Sequence, residues 1–246
     1  MSTSSIAIVG ATSGIAQGVA RLYAARGWKI FLVARNGGAL EAMASDLVAR
    51  GAPQTSTIVA DLRDVSRHDE IVLRAKQFCG TIGVVLIAHG ILRNQEEIDN
   101  DPDQMLDVFK VNATSSISLL QRFGIALESQ RSGTLAIISS VAGDRGRRSL
   151  YTYGATKAAV SHVVAGMRGR YQPLGINVLD IKPGPVDTPM MAGRTQALVA
   201  SVDVVARDIV RAIDKRKGVL YTPWFWRYIM RIVKMIPEPI FLKIRF

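Results

Sequence analysis

The chain has 246 residues, of which 48% are hydrophobic and 21% charged; that is enough apolar material for a sizeable core and too much for an intrinsically disordered protein. A formal net charge of +11 favours anionic company, whether nucleic acid, anionic lipid or a phosphorylated substrate, without choosing among them. The single cysteine, Cys79, excludes an internal disulfide and reads as a reduced residue at a helix end. No run approaches the roughly 18 apolar residues of a membrane span. The polar start Met1–Ser5 lacks the basic and small-residue marks of a signal peptide, so a cytoplasmic location is expected.

In chain order, Ile6–Val9, Ile30–Val33, Ser56–Ala60, Val84–Ala88, Thr134–Ile138, Asn177–Ile181 and Val219–Tyr221 are predicted strands, separated by amphipathic or buried helical stretches. Several strands are apolar at successive positions, as expected when helices cover both faces of a parallel sheet. The prediction is an α/β fold, a doubly wound Rossmann-type parallel sheet of seven strands, in one domain over residues 1–222. Residues 223–246 form an extension of different character. Trp224, Phe225, Trp226, Tyr228, Ile229, Met230, Ile232, Val233, Met235 and Ile236 surround Arg227, Arg231 and Lys234, whose spacing puts three cations on one helical face. Pro237 and Pro239 are expected to end that helix.

The first predicted strand runs into Gly10-Ala11-Thr12-Ser13-Gly14-Ile15-Ala16 and opens a helix. Glycines there let a backbone approach a pyrophosphate, and the helix N-terminus offers it unpaired amides. The second strand ends at Ala34-Arg35-Asn36, where a site for NAD would place an acid against the ribose 2′-hydroxyl. Arg35 is a cation suited to a 2′-phosphate, so NADP(H) is the preferred cofactor and NAD(H) the alternative. Tyr153 and Lys157 are four residues apart on a predicted helix, which puts phenol and ammonium on one face. The ammonium is expected to favour the phenolate and make the pair an acid/base. No metal site is expected.

These residues, in this order, resemble the short-chain dehydrogenase/reductase family. Gly10-x-x-x-Gly14-Ile15-Ala16 resembles its glycine motif, Asp61-Leu62 its adenine-contacting pair, and Asn112 its helix asparagine. Ser140 stands 13 positions before Tyr153, as the family serine does, and Tyr153 to Lys157 is its YxxxK. Pro183-Gly184-Pro185-Val186-Asp187-Thr188 matches the segment after the sixth strand. The resemblance implies that Tyr153 passes a proton to a carbonyl oxygen, and that Lys157 lowers the tyrosine pKa and holds the nicotinamide ribose. It further implies that Ser140 hydrogen-bonds the reacting oxygen, that Asn112 fixes a relay water, and that Val186 and Thr188 contact the carboxamide. Gly10, Thr12, Ser13, Gly14, Ile15, Arg35, Asp61, Leu62, Ala88, Gly90, Pro183 and Gly184 complete the expected cofactor set.

Two departures stand out. Ala16 replaces the third glycine, and Ile87-Ala88-His89-Gly90 replaces the usual Asn-Asn-Ala-Gly. His89 is expected to restore some of the missing bracing or to lie near the cofactor, with His68 on the surface and His162 packed within a helix. Arg145, Arg147 and Arg148 are candidate substrate residues, because a guanidinium makes forked contacts to phosphate. With the turn at Ala88–Leu92 and the C-terminal extension, they are similar to a subgroup of decaprenylphosphoryl-2-keto-ribose reductases, which implies a keto-pentose on a polyprenyl phosphate. The family also implies a homodimer or tetramer built on the helix from Tyr151 to Arg170. The extension is expected either to dock on protein or to make peripheral contact with the inner face of a membrane. Two other classes are weighed: a non-catalytic NAD(P)-binding sensor or scaffold, against which stands the set Asn112, Ser140, Tyr153 and Lys157, and nucleic-acid binding, for which no module is present.

Overall fold

The computed structural model describes residues 4–191 and 197–244, so Met1–Thr3 of the polar start and Arg245 and Phe246 of the extension lie outside the described residues. Seven strands, β1 (Ser5–Val9), β2 (Lys29–Ala34), β3 (Thr55–Val59), β4 (Val84–Ile87), β5 (Thr134–Ile138), β6 (Asn177–Pro183) and β7 (Val219–Thr222), form one sheet in the order β3-β2-β1-β4-β5-β6-β7. Every pairing is parallel. The order reverses direction at β1, and such a reversal opens a crevice beyond the carboxyl ends of the strands.

Alternate side chains of the strands serve the two faces. Ile6, Ile8, Ile30, Leu32, Leu179 and Ile181 join the helices α1 (Gly14–Ala24), α2 (Gly37–Ala49) and, from the far end of the chain, Val202–Asp214. Ala7, Val9, Phe31, Val33, Leu135 and Ile137 join α3 (His68–Cys79) and the later helices Ser116–Gln130 and Tyr151–Tyr171. This two-sided burial is why the strands are apolar at successive positions. In chain order the remaining helices are α4 (Gln95–Asn100), α5 (Pro102–Phe109), α6 (Ser116–Gln130), α7 (Tyr151–Tyr171), α8 (Val202–Asp214), α9 (Trp226–Met235) and α10 (Glu238–Phe241). Cys79 closes α3 as a buried free thiol, and burial pushes its pKa up.

All seven predicted strands are present, and β6 runs further than expected, through Lys182 and Pro183. A lysine at 9% exposure inside a strand requires a counter-charge. Asp144 supplies it at 2.5 Å, with Asp180 at 3.7 Å. The Tyr221 hydroxyl donates to the other Asp144 oxygen at 2.7 Å, and Ser139 Oγ donates to Asp180 at 2.5 Å. This buried polar net ties the loop after β5 to β6 and β7.

Two histidine expectations are reversed. His68 is fully buried at the start of α3, its ring nitrogens 2.9 Å from Ser118 Oγ and 3.0 Å from the Leu62 carbonyl, whereas His162 on α7 is exposed. His68 packs inward because its ring satisfies the carbonyl of a cavity-lining residue. Pro237 and Pro239 do follow the end of α9, but Pro239 also sits in the first turn of α10, where a missing amide costs nothing.

Candidate active site

A cavity of about 870 Å³ lies beyond the carboxyl ends of the strands. Gly10, Thr12, Ser13, Gly14 and Ile15 line it from the turn after β1, Arg35 from β2, Asp61 and Leu62 from β3, and Ala88 and Gly90 from β4. Pro183, Gly184, Val186 and Thr188 line it from β6, and Ser140, Tyr153 and Lys157 from β5 and α7. Gly10 has φ +83°, and its amide and that of Ala11 both donate to the Val33 carbonyl at 2.9 Å. A Cβ on Gly10 would stand 2.5 Å from the His89 amide nitrogen, so only glycine fits the turn. The first turn of α1 has no side-chain cap, which leaves its amides available to an anion. Arg63, which sequence reasoning overlooked, adds a second cation beside Arg35 in the lining. It is ion-paired with Asp107 at 3.5 Å.

Tyr153 and Lys157 lie one turn apart at the start of α7. Lys157 Nζ donates to the Ile138 carbonyl at 3.0 Å and sits 5.6 Å from the centre of the Tyr153 ring. Burial brings the Lys157 ammonium down to about 8, with Asp180 opposing the fall. Burial pushes the Tyr153 phenol up to about 12, and the Ser140 hydroxyl pulls the other way. The direction is opposite to the lowering expected from Lys157: desolvation of the phenol dominates, and Nζ is engaged by the Ile138 carbonyl. At neutral pH the phenol holds its proton. Ser140 Oγ accepts from the Ala142 amide at 3.1 Å, which pins the hydroxyl beside Tyr153.

Asn112 does not line the cavity. It is fully buried in a π-helical stretch, Lys110–Ser115, between α5 and α6. Its Oδ1 accepts from the Ile91 amide at 2.7 Å, and its Nδ2 donates to the Ile91 carbonyl at 2.8 Å and to Thr156 Oγ1 at 3.4 Å. Thr156 Oγ1 in turn donates to the Tyr153 carbonyl at 2.7 Å. Asn112 thus couples the turn after β4 to the backbone that carries the tyrosine. His89 both braces that turn, with Nε2 3.0 Å from Ser115 Oγ, and lines the cavity.

Burial, with Lys157 nearby, brings the His89 ring down to about 3. The unfolded chain protonates its histidines near ~6.5. Between those values the unfolded state holds more protons, so stability falls as pH drops through this window. About 2 kcal/mol is lost by pH 5 on this account. Thermal melts at pH 7 and pH 5 are expected to show a drop that His89→Asn reduces by roughly 4–8 °C; parallel drops in the two proteins would contradict it.

The three candidate substrate arginines part company. Arg147 lines the cavity, whereas Arg148 is exposed and outside the lining. Arg145 turns away: its Nη1 donates to the Val233 and Ile236 carbonyls at 2.5 and 2.6 Å, and its guanidinium lies 3.8 Å above the Phe241 ring. The last turn of a helix leaves carbonyls unsatisfied, and Arg145 fills that role for α9. Among the described residues the lining also includes the apolar Ile91, Leu92, Leu150, Met190, Trp226 and Ile229, with Ser149 among them. Trp226 is buried against Gly184, where a Cβ would stand 2.0 Å from its indole nitrogen. The helical spacing of Trp226, Met230 and Val233 was the signal for this inner face, since these three pack together with Val141.

Residues 4–198 match the family model described as short chain dehydrogenase. The chain is 31% identical over 234 residues to an uncharacterized oxidoreductase of Mycobacterium tuberculosis, covering 95% of this chain and 94% of the relative. It is 30% identical over 241 residues to an uncharacterized oxidoreductase of Streptomyces coelicolor, covering 98% and 95% respectively. Its fold is similar to that of a short-chain dehydrogenase from Sphingobium yanoikuyae solved in complex with NADPH, with a TM-score of 0.82, 24% identity and coverage of 96% of this chain and 97% of that one. The glycine turn, the Ser140–Tyr153–Lys157 arrangement and these matches together place the chain in the short-chain dehydrogenase family of oxidoreductases.

Proposed function

We propose that the chain is an NADP(H)-dependent carbonyl reductase whose substrate is a keto-pentose carried on a polyprenyl phosphate. The observation that carries the reaction class is the phenol of Tyr153 beside Ser140 and Lys157, all three lining one cavity. The residues present fit a dinucleotide. Gly10 provides a cradle that a Cβ would fill, α1 presents uncapped amides for a pyrophosphate, and Arg35 and Arg63 flank the adenosine end for a 2′-phosphate. The similar Sphingobium protein was solved with NADPH. Lys157 would hold the nicotinamide ribose, and Val186 and Thr188 the carboxamide.

When bound, NADPH supplies the hydride. Tyr153 donates its phenol proton to the carbonyl oxygen as that oxygen gains charge, and Ser140 hydrogen-bonds the same oxygen. Lys157 lies one turn away, its ammonium held on the Ile138 carbonyl. Asn112 is a positioning residue that keeps the Ala88–Leu92 turn and α7 in register. The apolar outer wall suits a lipid-borne substrate, and Arg147, in that wall, suits its phosphate. Such a substrate implies work at the inner face of a membrane, with contact through the C-terminal extension. A homo-oligomer is inferred from the open face of α7, where Ala155, Ala165, Gly166 and Gly169 allow close approach of a second helix.

The test is oxidation of NADPH and NADH with a polyprenyl-phosphate keto-pentose and with soluble keto-sugars. Turnover of the lipid-linked substrate with NADPH is expected, and absence of turnover with every keto-sugar would refute the reading. Arg35→Ala should lower the ratio of kcat/KM for NADPH over NADH by roughly 10- to 100-fold, the value of a charge-assisted hydrogen bond. An unchanged ratio would leave Arg35 without a role in cofactor choice.

A further inference from the structure

Helix α9 has two faces of opposite use. Trp226, Met230 and Val233 are buried, and Trp226 and Ile229 close the substrate end of the cavity. On the other side Trp224, Tyr228, Ile232 and Met235 are exposed at 71%, 58%, 64% and 75%. They recur at helical spacing, with Trp224 packed edge-on against Tyr228 at 5.9 Å between ring centres. Ile240 and Leu242 on and after α10 are exposed as well. Arg227, Arg231 and Lys234 form an exposed row along the edge of this apolar stripe. An apolar stripe with aromatic anchors and flanking cations is the composition of a helix that lies in a bilayer interface.

We propose that the outer face of α9 and α10 is a docking surface for an anionic lipid bilayer, with α9 as the partition between that surface and the substrate cavity. Charge complementarity selects this occupant. The described part of the extension carries Arg227, Arg231, Lys234 and Lys243 against one acid, Glu238, so a two-fold contact of this face with a second copy sets cation row against cation row. An anionic membrane meets the same row favourably, while the apolar stripe enters the headgroup boundary. The surface does not depend on Arg145 or Arg147, which lie on the inner side of the helix or within the cavity. The proposal deepens the lipid-borne substrate reading by naming where the enzyme meets the lipid, but its geometry stands without that reading.

Co-sedimentation of the full chain with vesicles, in the absence of substrate, tests it. Vesicles of phosphatidylglycerol mixed into phosphatidylcholine should pellet the protein at low salt, with less at high salt and much less on phosphatidylcholine alone. Each cation near such a surface contributes about fivefold to partitioning. The variant Arg227→Gln/Arg231→Gln/Lys234→Gln should therefore bind on the order of 100-fold less. Trp224→Ser/Ile232→Ser, which alters only exposed side chains, should also lose binding while its melting temperature stays unchanged. Wild-type protein that remains in the supernatant at low salt overturns the proposal, as does a pair of variants that pellet like wild type. A dimer that dissociates in the Trp224→Ser/Ile232→Ser variant overturns it in favour of a second copy. Vesicle binding without turnover of the lipid-linked keto-pentose would refute the substrate and leave the docking surface standing.

Discussion

Tyr153→Phe is expected to lower kcat by roughly 10²–10⁴-fold, the usual contribution of a positioned general acid, while the dissociation constant for NADPH stays nearly unchanged. Among the described residues the phenol of Tyr153 is the only tyrosine hydroxyl lining the cavity, and burial raises its pKa. Loss of the hydroxyl leaves Lys157 in its hydrogen bond to the Ile138 carbonyl, so the group proposed to hold the nicotinamide ribose keeps its position. Lys157→Ala should weaken turnover and binding together. Stopped-flow kinetics with NADPH and fluorescence titration of the cofactor separate the two effects. A Phe variant that keeps more than about a tenth of the wild-type rate would remove Tyr153 from the proton-donor role.

The second large effect is expected at Gly184. The indole of Trp226 occupies the space that a side chain at 184 would need, with a Cβ only 2.0 Å from the indole nitrogen. Gly184→Ala must displace Trp226 or shift the β6 loop, whose amide is bonded to the Thr222 carbonyl at 3.0 Å. Overpacking of this kind costs about 1–3 kcal/mol, which for a chain of this size lowers Tm by roughly 2–12 °C. Because Trp226 and Gly184 both wall the cavity, KM for the ketone should rise more than tenfold, an order-of-magnitude expectation for a displaced positioning wall. Trp226→Leu in the same chain should recover much of the lost Tm by vacating the space. Equal Tm and KM for Gly184→Ala and wild type would show that the indole does not rest on this glycine in solution.

Membership of the doubly wound class was legible because the cause is local. A strand buried on both faces has no polar side to alternate with, so Ile6–Val9, Ile30–Val33 and their successors are continuous apolar runs. The glycine turn and the Tyr153–Lys157 pair were legible for the same reason, since φ +83° at Gly10 and one helical turn at α7 are properties of neighbouring residues. Asn112, by contrast, was legible as a motif residue but not in its use, because its clamp on Ile91 joins positions 21 apart.

The remaining site residues depend on partners far away in the chain. Arg145 looked like a substrate cation until α9 brought the Val233 carbonyl, 88 residues distant, within 2.5 Å. His68 looked exposed because nothing near it in sequence predicts the Ser118 hydroxyl 50 residues on, and the sixth strand was expected to stop at Ile181 because the counter-charge that lets Lys182 continue it, Asp144, lies 38 residues earlier. The amino-acid sequence by itself determined the sheet, the glycine cradle and the one-turn spacing of Tyr153 and Lys157, each set by periodicity or by backbone conformation over a few residues. Only the tertiary structure decided which cations face the cavity, which face of α9 closes it and how the phenol is tuned, because burial and long-range hydrogen bonds exist only once distant segments pack together.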